Sequence, residues 1–252
     1  MHDQAQAWGR VAQKYDDLFV DPYHEDGDNP VLRAISRLKN KASLVIGDLG
    51  CGTGPFVPQL AKQFKSVVAV DFSADMLGEA KRRCRALKNV SFYHLPFDQL
   101  HLLPGKLDIA VTMNSLVSHD VGILDRALSA MRQTLRPGGR LLGIVPSLEG
   151  LNYHVMLLTD IGLQRDMTLE EAQQFAAKKA ELFGYDLNTA TFTFDKIKQH
   201  LWLREEVAYR LKKTGWKNIR VRKAGLPWDQ FAEGKALLKQ PLSWDWAFSA
   251  RG

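Results

Sequence analysis

Cysteine is scarce: the 252 residues include two, Cys51 and Cys84. Two thiols exclude a disulfide framework and any all-cysteine zinc site, and a chain of this length buries enough apolar surface to need neither. No apolar run reaches the ~18 uninterrupted residues that a membrane-spanning helix requires. The opening residues Met1-His2-Asp3-Gln4-Ala5-Gln6 lack the basic start and apolar stretch of a secretory signal, so the expected location is the cytoplasm. Repeats and low-complexity tracts are missing as well. Charge imbalance is small, 34 Lys and Arg against 28 Asp and Glu, or +6, which a solvated basic surface explains more simply than a polyanionic partner. The basic runs Lys81-Arg82-Arg83 and Lys212-Lys213 fall on expected helices, the second in a last turn where cations suit the helix dipole. His24-Glu25-Asp26 with Asp28 has no companion cluster, and no metal is expected.

What is present is ordinary globular composition, 45% hydrophobic and 25% charged, arranged with a rhythm. Short apolar runs at Ser43–Leu49, Ser66–Val70, Val90–Tyr93, Leu107–Met113 and Arg140–Val145 read as strands. Between them lie helical stripes: Phe56, Val57, Leu60, Ala61 and Phe64; Met76, Leu77, Ala80, Cys84 and Leu87; Ile123 through Leu135, ended by Pro137-Gly138-Gly139. Strand and helix in alternation build right-handed βαβ units and a mostly parallel sheet, with ligands bound beyond the carboxyl ends of the strands.

After Pro146 the rhythm breaks. Thr168-Leu169-Glu170-Glu171 reads as a capping box opening a helix with Leu169, Ala172, Ala176, Ala180 and Phe183 on one face. Asn188 to Phe194 alternates like a strand; Leu203, Val207, Ala208 and Leu211 mark a helix stopped by Gly215. Asn218–Arg222 and the aromatic Ser243–Ser249 read as the last strands. The expected organisation is an N-terminal cap (1–40), a core (41–146), an insertion over the sheet's carboxyl edge (147–200) and the C-terminal part of the core sheet (201–252).

The informative segment is Gly47-Asp48-Leu49-Gly50-Cys51-Gly52-Thr53-Gly54-Pro55, after a strand and before a helix. Alternate glycines let the backbone approach a ligand and adopt positive φ. A dinucleotide fingerprint starting at Gly50 needs its third glycine where Pro55 stands, so that pattern fails. What remains is Asp-x-Gly-x-Gly-x-Gly. Asp71 ends the second strand, 21 residues after Gly50. By itself an aspartate there is equally a helix N-cap.

This loop resembles the first motif of class I S-adenosylmethionine-dependent methyltransferases, and three further segments do so in order: Val68–Leu77 with Asp71, Leu107–Ser115, and Leu135-Arg136-Pro137-Gly138-Gly139-Arg140-Leu141. Trp8–Asp17, with Tyr15-Asp16, is similar to the entry helix of the branch that includes ubiquinone-biosynthesis methyltransferases. The resemblance implies an α/β, Rossmann-like, mostly parallel seven-stranded sheet flanked by helices, its last strand antiparallel, with a helical cap inserted after strand five. It implies S-adenosyl-L-methionine as cofactor and S-adenosyl-L-homocysteine as product. The implied cofactor residues are Tyr15, Asp48, Gly50, Cys51, Gly52, Gly54, Asp71, Phe72, Met76, Pro96, Phe97, Asp98, Asn114 and Ser115. Asp48 would meet the cofactor's ammonium, Asp71 its ribose hydroxyls, and Phe72 and Met76 its adenine. Members often carry an acid after strand three for the adenine amine; here Leu95-Pro96-Phe97 stands there, with Asp98 late.

The expected reaction is in-line methyl transfer to an O or N atom of a small-molecule acceptor, which needs alignment and water exclusion above all. His119, just past strand four, is a candidate base; Tyr153 and His154 are candidates for the acceptor pocket, as are Tyr23, His24 and Trp228. Each has an ordinary packing role as its competitor. Cys51 reads better as a small residue in a tight loop than as a nucleophile. Asn114-Ser115-Leu116-Val117 lacks the Asn-Pro-Pro-Tyr pattern of amino-methylating nucleic-acid enzymes, and no RNA-binding module is recognisable. RNA methylation and non-catalytic cofactor binding stand as the competing readings.

Overall fold

The computed structural model describes residues 7–10, 12, 21, 23, 24, 26–181, 184–194 and 196–252; Tyr15 and Asp16 lie outside them. A short helical turn covers residues 7–10. It is followed by α1 (Pro30–Ser36), whose N-cap Asn29 accepts from the amides of Val31 and Leu32. The core then runs β1 (Val45–Leu49), α2 (Val57–Ala61), β2 (Ser66–Asp71), α3 (Ala74–Arg83), β3 (Val90–His94), β4 (Leu107–Met113), α4 (Val121–Thr134) and β5 (Leu135–Val145). After it come α5 (Leu148–Gln164), α6 (Leu169–Lys179), β6 (Tyr185–Asp186), β7 (Thr191–Phe194) and β8 (Ile197–His200). The chain finishes with α7 (Arg204–Lys213), β9 (Lys217–Leu226), α8 (Gly234–Leu237) and β10 (Ser243–Arg251).

Seven strands form one sheet in the order β3-β2-β1-β4-β5-β10-β9. The first five are mutually parallel, and β10 runs antiparallel to both β5 and β9. This is the Rossmann-like sheet expected, with its last strand reversed. Strand order switches direction between β1 and β4, which opens a crevice at their carboxyl ends. Parallel strands covered on both faces read as apolar runs, and Ile46, Leu49, Val67, Val70, Ala110 and Val111 are indeed fully buried.

Two departures from expectation have identifiable reasons. β5 starts at Leu135 rather than Arg140 because Leu135 pairs with Leu107, and a register shift follows before Ile109 meets Arg140. Asp108 pins this irregular corner, accepting from Arg136 and from the Val45 amide, both at 2.7 Å. Leu169, expected on the buried face of α6, is exposed; Ala172 and Ala176 carry that face. They pack against α5 so closely that a Cβ on Gly162 would lie 2.8 Å from the Ala172 Cβ.

The segment after β5 holds helices and also a small antiparallel sheet, β6-β7-β8. Thr168 and Glu171 complete the capping box of α6. The contacts that hold the small sheet over the end of β4 include a bridge from Ser118 to Gln199, His200 N–H donating to Val117 O at 2.8 Å, and Trp202 Nε1 donating to Leu116 O at 2.8 Å. Among the described residues no helix is long and apolar enough to cross a membrane.

Candidate active site

A cleft opens at the carboxyl ends of β1, β2 and β4. The space it encloses, part of it open to solvent, is about 1130 Å³. Its floor is the loop after β1. Gly50, Gly52 and Gly54 all have positive φ, at 80°, 53° and 71°, the region that glycine enters without steric cost. The amides of Gly50 and Cys51 donate to Val70 O at 2.8 and 2.9 Å, so the loop is tied to the neighbouring strand. A side chain at Gly50 would collide with Ser115, 2.4 Å away, whereas the Cβ direction at Gly52 meets nothing within 4 Å. Gly52 thus presents bare backbone to the cleft.

Asp71 closes the floor. Its carboxylate accepts from the amides of Gly52 and Ser73, each at 2.9 Å. It therefore serves the loop and the start of α3 at once. A carboxylate offers about four acceptor sites, so ligand hydroxyls still find capacity there. Ser73 is the N-cap of α3; the helix-capping task weighed for Asp71 belongs to its neighbour.

Asp48, on β1 behind the loop, is 2% exposed. Burial, and then the nearby Asp71 charge, push its carboxyl up to about 7. Burial also raises Asp71, but the backbone N–H groups of Ser73, Gly52 and Phe72 oppose the rise. The backbone donors thus favour the charged form of Asp71, while burial and that charge favour the protonated form of Asp48. Cys51 faces the core; burial first, then Asp48 and Asp71, raise its thiol, which leaves it a poor nucleophile.

The walls are Phe72 and Met76 on one side and Leu95, Pro96, Phe97 and Asp98 on the next. Pro96 caps a 3₁₀ turn over Phe97–Leu102, which packs against α4. Asn114, Ser115, Leu116, Val117 and Ser118 line the β4 side, with Ile123, Leu124, Arg126 and Ala127 from α4 and Trp8 from the N-terminal turn. The helical stripe of α4 is legible in the sequence, but nothing there singles out Arg126. Ser115 Oγ donates to Leu49 O at 3.2 Å and lies 2.5 Å from Thr112 Oγ1, which fixes the β4 exit against the glycine loop.

The structure thus gathers Gly50, Gly52, Asp71, Phe72, Met76, Pro96, Phe97, Asp98, Asn114 and Ser115 around one cleft, with Asp48, Cys51 and Gly54 behind its floor. It does not gather His119, Tyr153 and His154 there. His119 is exposed, and its Nδ1 lies 3.1 Å from Lys198 O, an anchor to the small sheet. His154 is buried among Trp228 and Phe231, with Nε2 3.2 Å from Ala232 O; burial lowers its pKa, as for a packed neutral imidazole. Tyr153 leans on Trp244 and Trp228, ring centroids 5.4 and 6.1 Å away. Tyr23 stacks on Phe56. His24 Nε2 is 3.4 Å from Asp229.

Comparison with known proteins agrees with this geometry. Residues 46–139 match the model of a methyltransferase domain family. The malonyl-[acyl-carrier protein] O-methyltransferase of Pectobacterium atrosepticum is 30% identical over 54% of this chain and 49% of its own length. The demethylmenaquinone methyltransferase of Beutenbergia cavernae is 34% identical over 56% of this chain and 57% of its own. The chain thus spans about half the length of the curated relatives it matches. Among solved structures, the DhpI–SAH complex superposes with a TM-score of 0.61 at 18% identity, covering 100% of this chain and 96% of that one. Magnesium protoporphyrin IX methyltransferase from Synechocystis, with bound SAH, gives 0.52 at 16% identity, over 97% and 83%. These likenesses speak to the fold. Residues 46–139 are similar to a methyltransferase domain family, and the chain has the fold of class I S-adenosylmethionine-dependent methyltransferases.

Proposed function

We propose that the chain transfers a methyl group from S-adenosylmethionine to an oxygen or nitrogen atom of a small-molecule acceptor. The observation that carries this reading is the open backbone at Gly52, hydrogen-bonded to Asp71 and backed by the buried Asp48. It is a floor that a bulky, cationic ligand can approach closely. When bound, S-adenosylmethionine supplies a methyl group on a positively charged sulfur, an activated leaving group.

The chain's own residues bind and orient. Asp71 accepts the ribose hydroxyls. Phe72 and Met76 give apolar surface to the adenine, and Pro96, Phe97 and Asp98 bound its edge. Asp48 supplies the counter-charge for the ammonium group; that cation offsets the burial that raises the carboxyl, so binding returns Asp48 to its ionised form. Val117 and Ser118, which follow β4 beneath the small sheet, and Trp8 line the same cleft and would bound the space for the acceptor. Water exclusion by these groups and alignment by the β4 exit are the catalytic contributions, and the acceptor's proton passes to solvent.

The malonyl-[acyl-carrier protein] relative is an O-methyltransferase by name, which supports oxygen as the acceptor atom. The test is incubation with methyl-labelled S-adenosylmethionine and a panel of small carboxylic acids, phenols and amines, with bulk tRNA alongside. Label in a small organic product supports the proposal. Label in RNA alone overturns the acceptor class. S-adenosylhomocysteine binding without turnover on any member would favour a non-catalytic role.

A further inference from the structure

Asn114 and Asp245 form a buried polar junction beside the cleft. Asn114 is the first residue after β4 and adopts φ 50°, a conformation that asparagine tolerates better than most residues. Its Nδ2 donates to Asp245 Oδ2 at 3.1 Å. The other carboxylate oxygen, Oδ1, accepts from the Ser147 amide at 3.1 Å. Asp245 lies on β10, so its side chain reaches across the end of β5 and ties together the two exits, after β4 and after β5. The remaining amide atom, Asn114 Oδ1, is buried with no hydrogen-bond partner among the described residues, in a residue that lines the cleft. A buried acceptor left unmade is costly, and here it sits where the cofactor's donors are expected.

The direction of the Asn114 amide follows from Asp245. The Ser147 N–H is backbone and cannot turn away, so one carboxylate oxygen is committed. An ionised Asp245 can only accept, and Asn114 must then offer its NH₂ to the second oxygen, leaving Oδ1 for the cleft. A neutral acid, or an amide in its place, donates at that oxygen; Asn114 then turns over, accepts with Oδ1 and points NH₂ to the cleft. We infer that Asp245 is a positioning residue: its carboxylate holds Asn114 with Oδ1 toward the ammonium group of the cofactor. This rests on the cofactor reading given above.

Burial holds the Asp245 carboxyl up at about 6, against the hydrogen bonds from Asn114 and Ser147 that lower it. The titratable groups around it are few. Tyr185 on β6 is raised by burial first, then by the charges of Glu181 and Asp245. Glu149 on α5 is engaged with Trp246 Nε1 and the Arg204 amide, at 2.8 and 3.0 Å. Lys223 on β9 sits over the Trp244 ring at 3.2 Å.

The test is S-adenosylhomocysteine binding by calorimetry from pH 5 to 8 for wild type, Asp245→Asn, Asn114→Ala and the double variant. At pH 8 Asp245→Asn should bind about tenfold more weakly, the size of one hydrogen bond to a charged group. The difference should vanish near pH 5, where wild type carries the neutral acid itself. The double variant should bind no worse than Asn114→Ala alone. A loss that is the same at every pH, or adds to that of Asn114→Ala, overturns the inference. A second arm needs no variant protein in the titration. The Asn114 side-chain amide resonances of wild type, assigned by their absence from Asn114→Ala, should move through a transition near pH 6; no movement overturns the coupling. If wild type binds no S-adenosylhomocysteine, the cofactor reading falls, while the resonance titration still decides whether Asp245 governs Asn114.

Discussion

Asp71 accepts the Gly52 amide at 2.9 Å, so the acid that ends β2 fixes the loop that leaves β1. Loop shape and ligand capacity depend on one carboxylate. Asp71→Ala strands two backbone N–H groups, Gly52 and Ser73. It should lower the unfolding free energy by about 1–3 kcal/mol, as read in urea titrations. Asp71→Asn can keep one of the two bonds and should cost less stability.

Asp48 makes stability and ligand binding depend on pH with opposite sign. Its folded pKa of about 7 lies above the ordinary carboxylate value, so between about pH 4 and 7 the folded state binds more protons than the unfolded one. Stability from this group is present at low pH and lost as pH rises through 7. The stability advantage of Asp48→Asn over wild type should grow by about 2–3 kcal/mol between pH 5 and pH 8. Binding of a ligand that sets an ammonium group beside Asp48 should reverse the preference. At pH 6, S-adenosylhomocysteine should release up to about one proton, visible as a buffer-dependent binding enthalpy, and affinity should rise toward pH 8. Proton uptake on binding would contradict the assigned role.

Gly52 and Gly54 separate binding from folding. Both have positive φ, but a Cβ at Gly52 meets open space, while at Gly54 it would lie 3.0 Å from the Ala80 Cβ and 3.3 Å from its Cα. Gly52→Ala should cost about 1–2 kcal/mol of stability for the left-handed conformation and a larger factor in ligand affinity, since the methyl group enters the cleft. Gly54→Ala should cost more stability, because loop and α3 must move apart. Equal melting temperatures for the two variants would contradict this.

His119 stands outside the cleft lining and holds the small sheet through Lys198 O. His119→Ala should lower kcat by less than about tenfold, below the usual contribution of a general base, and by the same factor at every pH. A loss of a hundredfold or more, with a bell-shaped wild-type profile, would restore it as the base.

Much of the core was legible because its signals are local. Alternating apolar strands, the glycines at 50, 52 and 54, and Asp71 at a strand end each follow from neighbouring residues. The α4 stripe was legible as a helix, but no sequence period reveals that Ile123 and Ala127 wall a cleft, since that depends on the 3₁₀ turn packed beside them. Helix α5 was missed. Gly150 and Gly162 break its pattern, and both exist for contacts far away in sequence: a Cβ at Gly150 would lie 2.0 Å from Trp244 O. Tyr153 and His154 looked available for chemistry because aromatic and imidazole side chains serve packing and catalysis alike; Trp228, Phe231 and Trp244 absorb them. Asp245 drew no notice in an aromatic strand, because its partners are Asn114 and Ser147, 131 and 98 residues away.

The most direct measurement is a calorimetric titration of the folded protein with S-adenosylhomocysteine, beside NADH and the Asp71→Asn variant. The expected result is S-adenosylhomocysteine binding in about the micromolar range, weakened roughly ten- to hundredfold by Asp71→Asn, and no heat from NADH. A folded wild type that binds no S-adenosylhomocysteine, or an Asp71→Asn variant that binds it equally well, would contradict the assignment of this cleft.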